Sequence, residues 1–142
     1  MKFSWFSCLL FLAAFSAISI GCDKDKDPVV TPPPPVKAGK GGNNTLRIVP
    51  IHSGNNIDSC FLYIKYNALD MPSFFDDSVY CTYDSKKEFS GSFTNLQPGN
   101  YFLYAKGWDV ITSENVEDYM YHVIVDQSSV HTIKMPIRTA KK

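Results

Sequence analysis

Hydrophobic and polar side chains alternate along most of the chain after residue 44, in runs that are short. A period of two places successive side chains on opposite faces of a β-strand. β-Branched and aromatic residues fill the runs, and turn-forming residues separate them. The pattern predicts seven strands, over residues 45–51, 60–67, 78–83, 87–96, 100–108, 119–125 and 130–137.

Helical spacing of apolar residues is nearly absent from the same region. Only residues 113–120 (SENVEDYM) have the features of a short helix. Ser113 would cap its first turn, and Glu114 and Glu117 would lie near the positive end of its dipole. Short strands joined by polar turns favour an all-β, antiparallel, seven-stranded β-sandwich.

The N-terminus follows a different pattern. Lys2 precedes a largely apolar run over residues 3–20, which is the layout of a secretion signal. A retained transmembrane anchor is the alternative, because about 20 apolar residues span a bilayer. Asp23 argues against that alternative, since Lys or Arg usually follows a stop-transfer helix. We therefore expect residues 1–21 to be removed as a signal peptide.

The signal ends in residues 19–22 (SIGC), which resemble the lipobox of bacterial lipoproteins. In that family the cysteine is linked to diacylglycerol, and its amino group is acylated after cleavage. The resemblance implies that Cys22 is the lipidation site of an outer-membrane protein. Residues 23–27 (DKDKD) are similar to the export signals of Bacteroidota surface lipoproteins, which implies display at the cell surface. A plain solvated charge run is the alternative for this segment.

The segment after the cysteine is rich in charge, proline and glycine. It cannot bury enough apolar surface to fold, and Pro32–Pro35 favour a stiff polyproline II conformation. We predict a lipidated, disordered tether over residues 22–43, a folded domain over 44–139 and a basic tail over 140–142. A domain of that length buries roughly 60–70% of its unfolded surface.

The net charge of the chain indicates which kinds of partner it can attract. Lys2 is one of 14 basic residues, so the chain after residue 21 keeps 13 against 14 acidic residues, a formal charge of −1. Binding to nucleic acid would need a basic face, so no nucleic acid is expected. Contact with the membrane would then depend on the N-terminal lipid.

The turn between the fourth and fifth predicted strands has the most distinctive sequence motif of the folded domain. In residues 91–107 (GSFTNLQPGNYFLYAKG) a strand ends at Leu96, Pro98 and Gly99 form a turn, and Tyr101 opens the next strand. Pro98 presets its own φ and Gly99 accepts positive φ. Leu96 is expected to fill the end of the core, and the Tyr101 hydroxyl to bond back to the turn as a tyrosine corner.

This turn resembles the F-x-x-L-x-P-G-x-Y-x-L-x-A signature of prealbumin-like sandwiches, such as transthyretin and the carboxypeptidase regulatory-like domains. Fibronectin type III domains carry a related turn, so an Ig-like sandwich stays open. The resemblance implies a non-catalytic module that stiffens, displays or mediates contacts.

Two cysteines, Cys60 and Cys81, belong to the folded domain. A hairpin of the second and third strands around Asp70 and Met71 pairs residues whose numbers add up to 141, which sets the two cysteines opposite each other. We predict a disulfide between them, because the cell envelope is oxidising. Its loop would stabilise the fold by roughly 3 kcal/mol in the chain-entropy model. Two buried, reduced thiols are the alternative.

Histidines and paired carboxylates show no spacing that indicates chemistry. His52, His122 and His131 lack metal-ligand spacing, although a hairpin of the last two strands would make His122 and His131 neighbours in a metal or pH-sensing site. Asp76 and Asp77 are expected to be solvated in a turn. No serine-nucleophile or phosphate-loop motif occurs, so we predict no catalytic residue, metal or cofactor.

Aromatic residues make up 14% of the chain. The fifth predicted strand carries Phe102 and Tyr104 on one face, and the sixth carries Tyr119 and Tyr121 together. One face of each strand must pack in the core, and rings on the other face would suit a protein or glycan ligand. Two functions stay open: a lipid-anchored, non-enzymatic binding module, and a structural subunit of a pilus-like or envelope assembly.

Overall fold

The computed structural model describes residues 37–141, which form ten strands and no helix. The signal peptide over residues 1–21 and the lipidation site Cys22 lie outside these residues. Within the described range, no helix is long and apolar enough to cross a membrane. The strands are β1 (Lys40–His52), β2 (Asn55–Asn56), β3 (Ser59–Tyr66), β4 (Asp77–Tyr80), β5 (Thr82–Tyr83), β6 (Phe89–Leu96), β7 (Gly99–Asp109), β8 (Glu114–Ile124), β9 (Val130–Pro136) and β10 (Arg138–Thr139).

The strands form two five-stranded sheets. In sheet A, β1 pairs in parallel with β9 on one side and antiparallel with β6 and β2 on the other, and β5 lies beyond β6. Sheet B has the order β10-β8-β7-β3-β4 and is antiparallel throughout. The predicted all-β fold of two packed sheets is confirmed, and β1 with β9 is the one parallel pair among the described strands.

The predicted strand segments differ from the structure in several places, and the structure has ten strands where seven were predicted. The short strands β2 and β10 were not predicted. Residues 78–83 are divided at Cys81 into β4 and β5, which pair in different sheets. The helix predicted over 113–120 is wrong, because β8 begins at Glu114 and pairs with β7 along its whole length. Ser113 has a φ of 56° in the turn before β8 and caps no helix. Sheet pairing outweighs a weak local helix preference.

The core lies between the two sheets and follows the period-two pattern. Sheet A contributes Leu46 and Ile48, and sheet B contributes Leu62 and Leu103, all with no exposed surface. Burial of each such side chain stabilises the fold by about 1.5–3 kcal/mol. The alternate positions of the sheet B strands therefore point away from the core.

The folded domain begins earlier than predicted. β1 starts at Lys40, inside the segment expected to be tether up to residue 43. Lys40 and Asn44 both pair with Leu96 around a bulge, and Gly41 at φ 98° lies within that bulge. The buried Asn44 amide donates to the carbonyls of Leu96 (3.2 Å) and Asp126 (2.9 Å), which ties the start of the strand to the core.

The turn between β6 and β7 crosses from sheet A to sheet B. Gly99 has a φ of 144°, in the region that favours glycine. Leu96 and Tyr101 on either side are fully buried. The Tyr101 hydroxyl donates to the carbonyl of Gln97 at 2.5 Å and accepts from the N–H of Gly39 at 3.3 Å. This is the geometry of a tyrosine corner.

Candidate binding site

The outward face of sheet B is rich in aromatic side chains. Strand register places Tyr63, Tyr104 and Tyr119 in one row across β3, β7 and β8. Phe102 and Tyr121 are paired in the next row. We call this surface the aromatic face: Phe61, Tyr63, Tyr80, Phe102, Tyr104, Trp108, Tyr119 and Tyr121.

The rings of the aromatic face are ordered by contacts with one another. Phe102 stacks on Tyr119 with centroids 5.4 Å apart and meets Tyr121 edge-on at 5.3 Å. Phe61 meets Tyr80 edge-on at 4.8 Å. Offset-stacked and edge-to-face arrangements are the favourable ones for aromatic pairs. The face is therefore a preorganised surface.

The loop of residues 67–76 covers one half of the aromatic face. Phe75 stacks on Tyr104 with centroids 5.6 Å apart. The Tyr121 hydroxyl donates to the carbonyl of Leu69. These contacts hold the loop in place over Tyr104, whereas Tyr119 and Tyr121 at its margin stay 51% and 48% exposed.

Two ion pairs hold the C-terminal end of this loop, and one of them joins it to β3. Lys65 Nζ lies 2.7 Å from Asp76 Oδ1 and 3.7 Å from the centre of the Phe74 ring. Asp77 pairs with Lys40 at 2.8 Å, and the hydrogen bond from Lys40 lowers the pKa of Asp77. The two aspartates, expected to be solvated, keep part of their side-chain surface exposed and also form ion pairs.

The open half of the aromatic face lies beside the β7–β8 turn. Phe61 is 48% and Trp108 41% exposed, and both line a cavity of about 420 Å³. Lys106 is opposite Phe61 in the register, and Asn115 is opposite Trp108. We call these four residues the open trough. Within residues 37–141, the Lys106 ammonium and the Asn115 amide side chain make no hydrogen bond or ion pair.

A second cavity of about 440 Å³ lies beside the trough, toward β10. The Tyr104 hydroxyl donates to Glu117 at 2.6 Å, and burial raises the pKa of Tyr104. Arg138 pairs with Asp118 at 2.6 Å. Tyr119 is 51% exposed at its rim. Glu117 is also opposite Lys106, so the two cavities share one border.

The cysteines lie where the register predicts but are not bonded. Phe61 pairs with Tyr80 and Leu62 with Val79, which confirms the hairpin whose numbers add up to 141. Cys60 and Cys81 are free and buried, so the predicted disulfide is absent from this structure. A hydrogen bond with Cys60, together with burial, raises the pKa of the Cys81 thiol. Packing in the core holds the two thiols without a covalent link.

The two histidines expected to meet across a hairpin meet in another way. β8 and β9 lie in different sheets, so the hairpin is wrong, yet the rings of His122 and His131 are 5.6 Å apart. Burial and the neighbouring His131 lower the pKa of His122. His131 Nε2 hydrogen-bonds Ser129 Oγ at 2.6 Å and lies 3.8 Å from Asp126. Among the described residues, no group of three or more His, Cys, Asp or Glu side chains is arranged to hold a metal.

No sequence pattern indicated a series of hydrogen bonds that begins at the buried His52 side chain. His52 Nδ1 lies 2.6 Å from Asp109 Oδ2, and His52 Nε2 lies 3.4 Å from Thr139 Oγ1. The Thr139 hydroxyl donates to Glu114 at 2.9 Å, which directs its proton away from the imidazole. His52 ends β1 and Asp109 ends β7, so the pair links the two sheets. We assign it a structural role.

Comparison with known proteins gives no further assignment: no family model and no curated protein matches the chain. Since a fold alone does not define an activity, the function has to be argued from the aromatic face itself.

Proposed function

We propose that this protein is a lipid-anchored protein of the bacterial outer membrane whose sandwich is a non-enzymatic binding module for a protein or glycan at the cell surface. The aromatic face is the contact surface. The observation that carries this proposal is that Phe61, Tyr80, Trp108 and Tyr119 keep 41–51% of their surface exposed on one side of one sheet. Contiguous exposed apolar surface in a soluble domain typically marks a binding site.

Preorganisation supports the same function. The exposed rings stand on paired strands. Phe61 contacts Tyr80, and Tyr119 contacts Phe102, so a ligand would have to immobilise few of these rings. Each rotamer-rich side chain that a ligand must order costs roughly 0.5–1.5 kcal/mol of affinity. A rigid aromatic surface avoids most of that cost.

We infer further that the sandwich is of the prealbumin-like type. The turn at Leu96–Tyr101 supports this inference, as does the parallel pairing of β1 with β9. Immunoglobulin constant-type sandwiches consist of two antiparallel sheets. The parallel pair therefore argues against a constant-type Ig sandwich.

The anchor is tested by Cys22→Ser. We expect this variant to incorporate no labelled palmitate in cells, because the thiol that accepts the lipid is missing. Cys60→Ser is the control and should remain labelled, since Cys60 is buried in the folded domain. Normal labelling of Cys22→Ser would contradict the lipid anchor.

The binding face is tested by photo-cross-linking in whole cells. A benzophenone amino acid at position 61 lies in the open trough, and the same residue at position 83 lies outside the aromatic face, where Tyr83 is 61% exposed. Benzophenone inserts into C–H bonds of proteins and glycans alike. We expect adducts of increased mass at position 61 only. Equal cross-linking at both positions, or none, would contradict the proposal.

A further inference from the structure

We propose that the open trough binds a neutral oligosaccharide, with the rings of Phe61 and Trp108 as stacking platforms. This inference rests on the proposed function, because it names the ligand class of the same face. Three properties of the trough support the binding of a neutral oligosaccharide: the placement of rings beside polar groups, the unused hydrogen-bonding capacity and the balance of charge.

Rings and polar groups alternate across the trough. One row of the sheet runs Ser59, Trp108, Asn115, and the next runs Phe61, Lys106, Glu117. Neighbouring strands lie about 4.8 Å apart, so each ring has a polar group one strand away. A ligand that fills the trough must offer an apolar face and hydrogen-bonding groups in the same small unit. A sugar ring does so, with C–H bonds on its face and hydroxyls on its rim.

The polar groups of the trough have free hydrogen-bonding capacity. Lys106 offers three donors, and Asn115 offers two donors and one acceptor. In the free protein these groups are hydrated, and ligand hydroxyls can replace that water at little cost. An acyl chain would leave both groups without partners, which disfavours a lipid in the trough.

The charge of the trough favours a neutral ligand over an anion or a protein. Lys106 faces Glu117 in the register, and the nearby Arg138 is paired with Asp118, so a carboxylate offsets each of these two cations. Lys141 also lines the second cavity, but no cluster of cations is present in the trough itself to attract an anion. Lys and Glu are depleted from the cores of protein interfaces, yet they occupy the middle of this surface. The arrangement therefore favours a glycan.

The second cavity implies more than one sugar subsite. It lies across the Lys106 and Glu117 border, with Tyr119 exposed at its rim. A longer oligosaccharide can contact both Trp108 and Tyr119. Affinity should therefore rise when the ligand is long enough to reach the second ring.

The test is isothermal titration of the full chain, purified in detergent, with neutral and acidic oligosaccharides of defined length. We expect one neutral series to bind, with an affinity that added salt leaves unchanged. Trp108→Ala should weaken binding about ten-fold or more, as for a hot-spot aromatic residue. Tyr83→Ala, outside the aromatic face, should bind like the wild type.

A second pair of variants distinguishes a loss of binding from a loss of folding. Lys106→Met and Asn115→Ala remove exposed polar groups, so unfolding should be unchanged while affinity falls several-fold. Binding of acidic glycans alone, lost in salt, would overturn the inference, as would neutral binding that every trough variant retains. If no glycan binds but cross-links at position 61 are to protein, the inference fails and the proposed function stands. If neither occurs, both fail.

Discussion

At the scale of single residues, polar contacts of buried side chains join the two sheets. Tyr101 lies near the start of β7 in sheet B and bonds to Gln97 and Gly39, which flank strands of sheet A. His52 and Asp109 make the corresponding link through β1 and β7. Motif spacing indicated the tyrosine, because its partner Gln97 is four residues away. No local signal joins His52 to Asp109, whose contact depends on the packing of the sheets.

The Tyr101→Phe substitution tests the first link. The partly buried Gln97 carbonyl would lose its donor, so we expect the free energy of unfolding to fall by about 1–3 kcal/mol. Urea unfolding measures it. Tyr83→Phe is the matched control and should lie within about 0.5 kcal/mol of the wild type, because Tyr83 is exposed. An equal effect of both substitutions would contradict the assigned role.

Acidification tests the second link. The hydrogen bond with His52 lowers the pKa of Asp109 below its ordinary value, so the carboxylate stabilises the fold above that ordinary value of about 3.9. That stability is lost as the pH falls through the lowered folded-state pKa. Asp109→Asn should therefore be less stable near neutral pH and lose less stability on acidification.

Urea titrations between about pH 6 and pH 3 measure both effects of Asp109→Asn. Asp58→Asn removes an exposed carboxylate and should keep the wild-type stability near neutral pH. An acid profile of Asp109→Asn that runs parallel to the wild type would contradict the role of the pair.

At the scale of strands and turns, local pattern predicted one hairpin correctly and another wrongly. The β3–β4 register follows from alternation on both strands and a loop between them. For residues 119–137 the same reasoning fails, because β9 leaves β8 and pairs in parallel with β1. A short connection between two strands is compatible with a hairpin and with a crossing to the other sheet. The packing of β9 against the core, which local pattern does not show, distinguishes the crossing from a hairpin.

The β6–β7 turn can be tested by substitution of its glycine. In Gly99→Ala the new Cβ would lie 2.5 Å from the Ala38 nitrogen, in addition to backbone strain at φ 144°. We expect a loss of roughly 3 kcal/mol in the free energy of unfolding. In Gly54→Ala, at φ 84°, no atom lies within 4 Å of the new Cβ, so strain alone should cost about 1–2 kcal/mol. A smaller loss for Gly99→Ala than for Gly54→Ala would show that Ala38 does not constrain the turn.

At the scale of the whole molecule, the edge strands of the two sheets determine how readily a strand of another molecule could be added. The outer edge of β9 pairs with no other strand in the described part of the chain, and it carries Lys134 and Pro136. Lysine and proline on an edge oppose the addition of a further strand. β4, one edge of sheet B, is only four residues long. At the other edge, β10 pairs with only Val116 and Glu117 of β8 in the described part of the chain. The β9 and β4 edges favour a monomeric module over a strand-exchanging assembly subunit.

The oligomeric state of the protein can be tested directly. We expect the full chain in detergent to be monomeric by size exclusion with light scattering, over a wide range of protein concentration. The double variant Lys134→Val and Pro136→Val, which removes both features that oppose strand addition, should associate more. A wild type that forms polymers or exchanged dimers would favour the structural-assembly alternative.

By itself, the sequence determined most of the strand segments, their two faces, the turn at Pro98–Gly99 and the position of Cys60 opposite Cys81, although not their bonding. These depend on neighbours along the chain, and alternation, turn chemistry and loop length are local properties. Only the tertiary structure decided the β1–β9 pairing, the His52–Asp109 link and the open trough. Each brings together residues far apart in sequence, and their contact is set by how the two sheets bury the core as a whole.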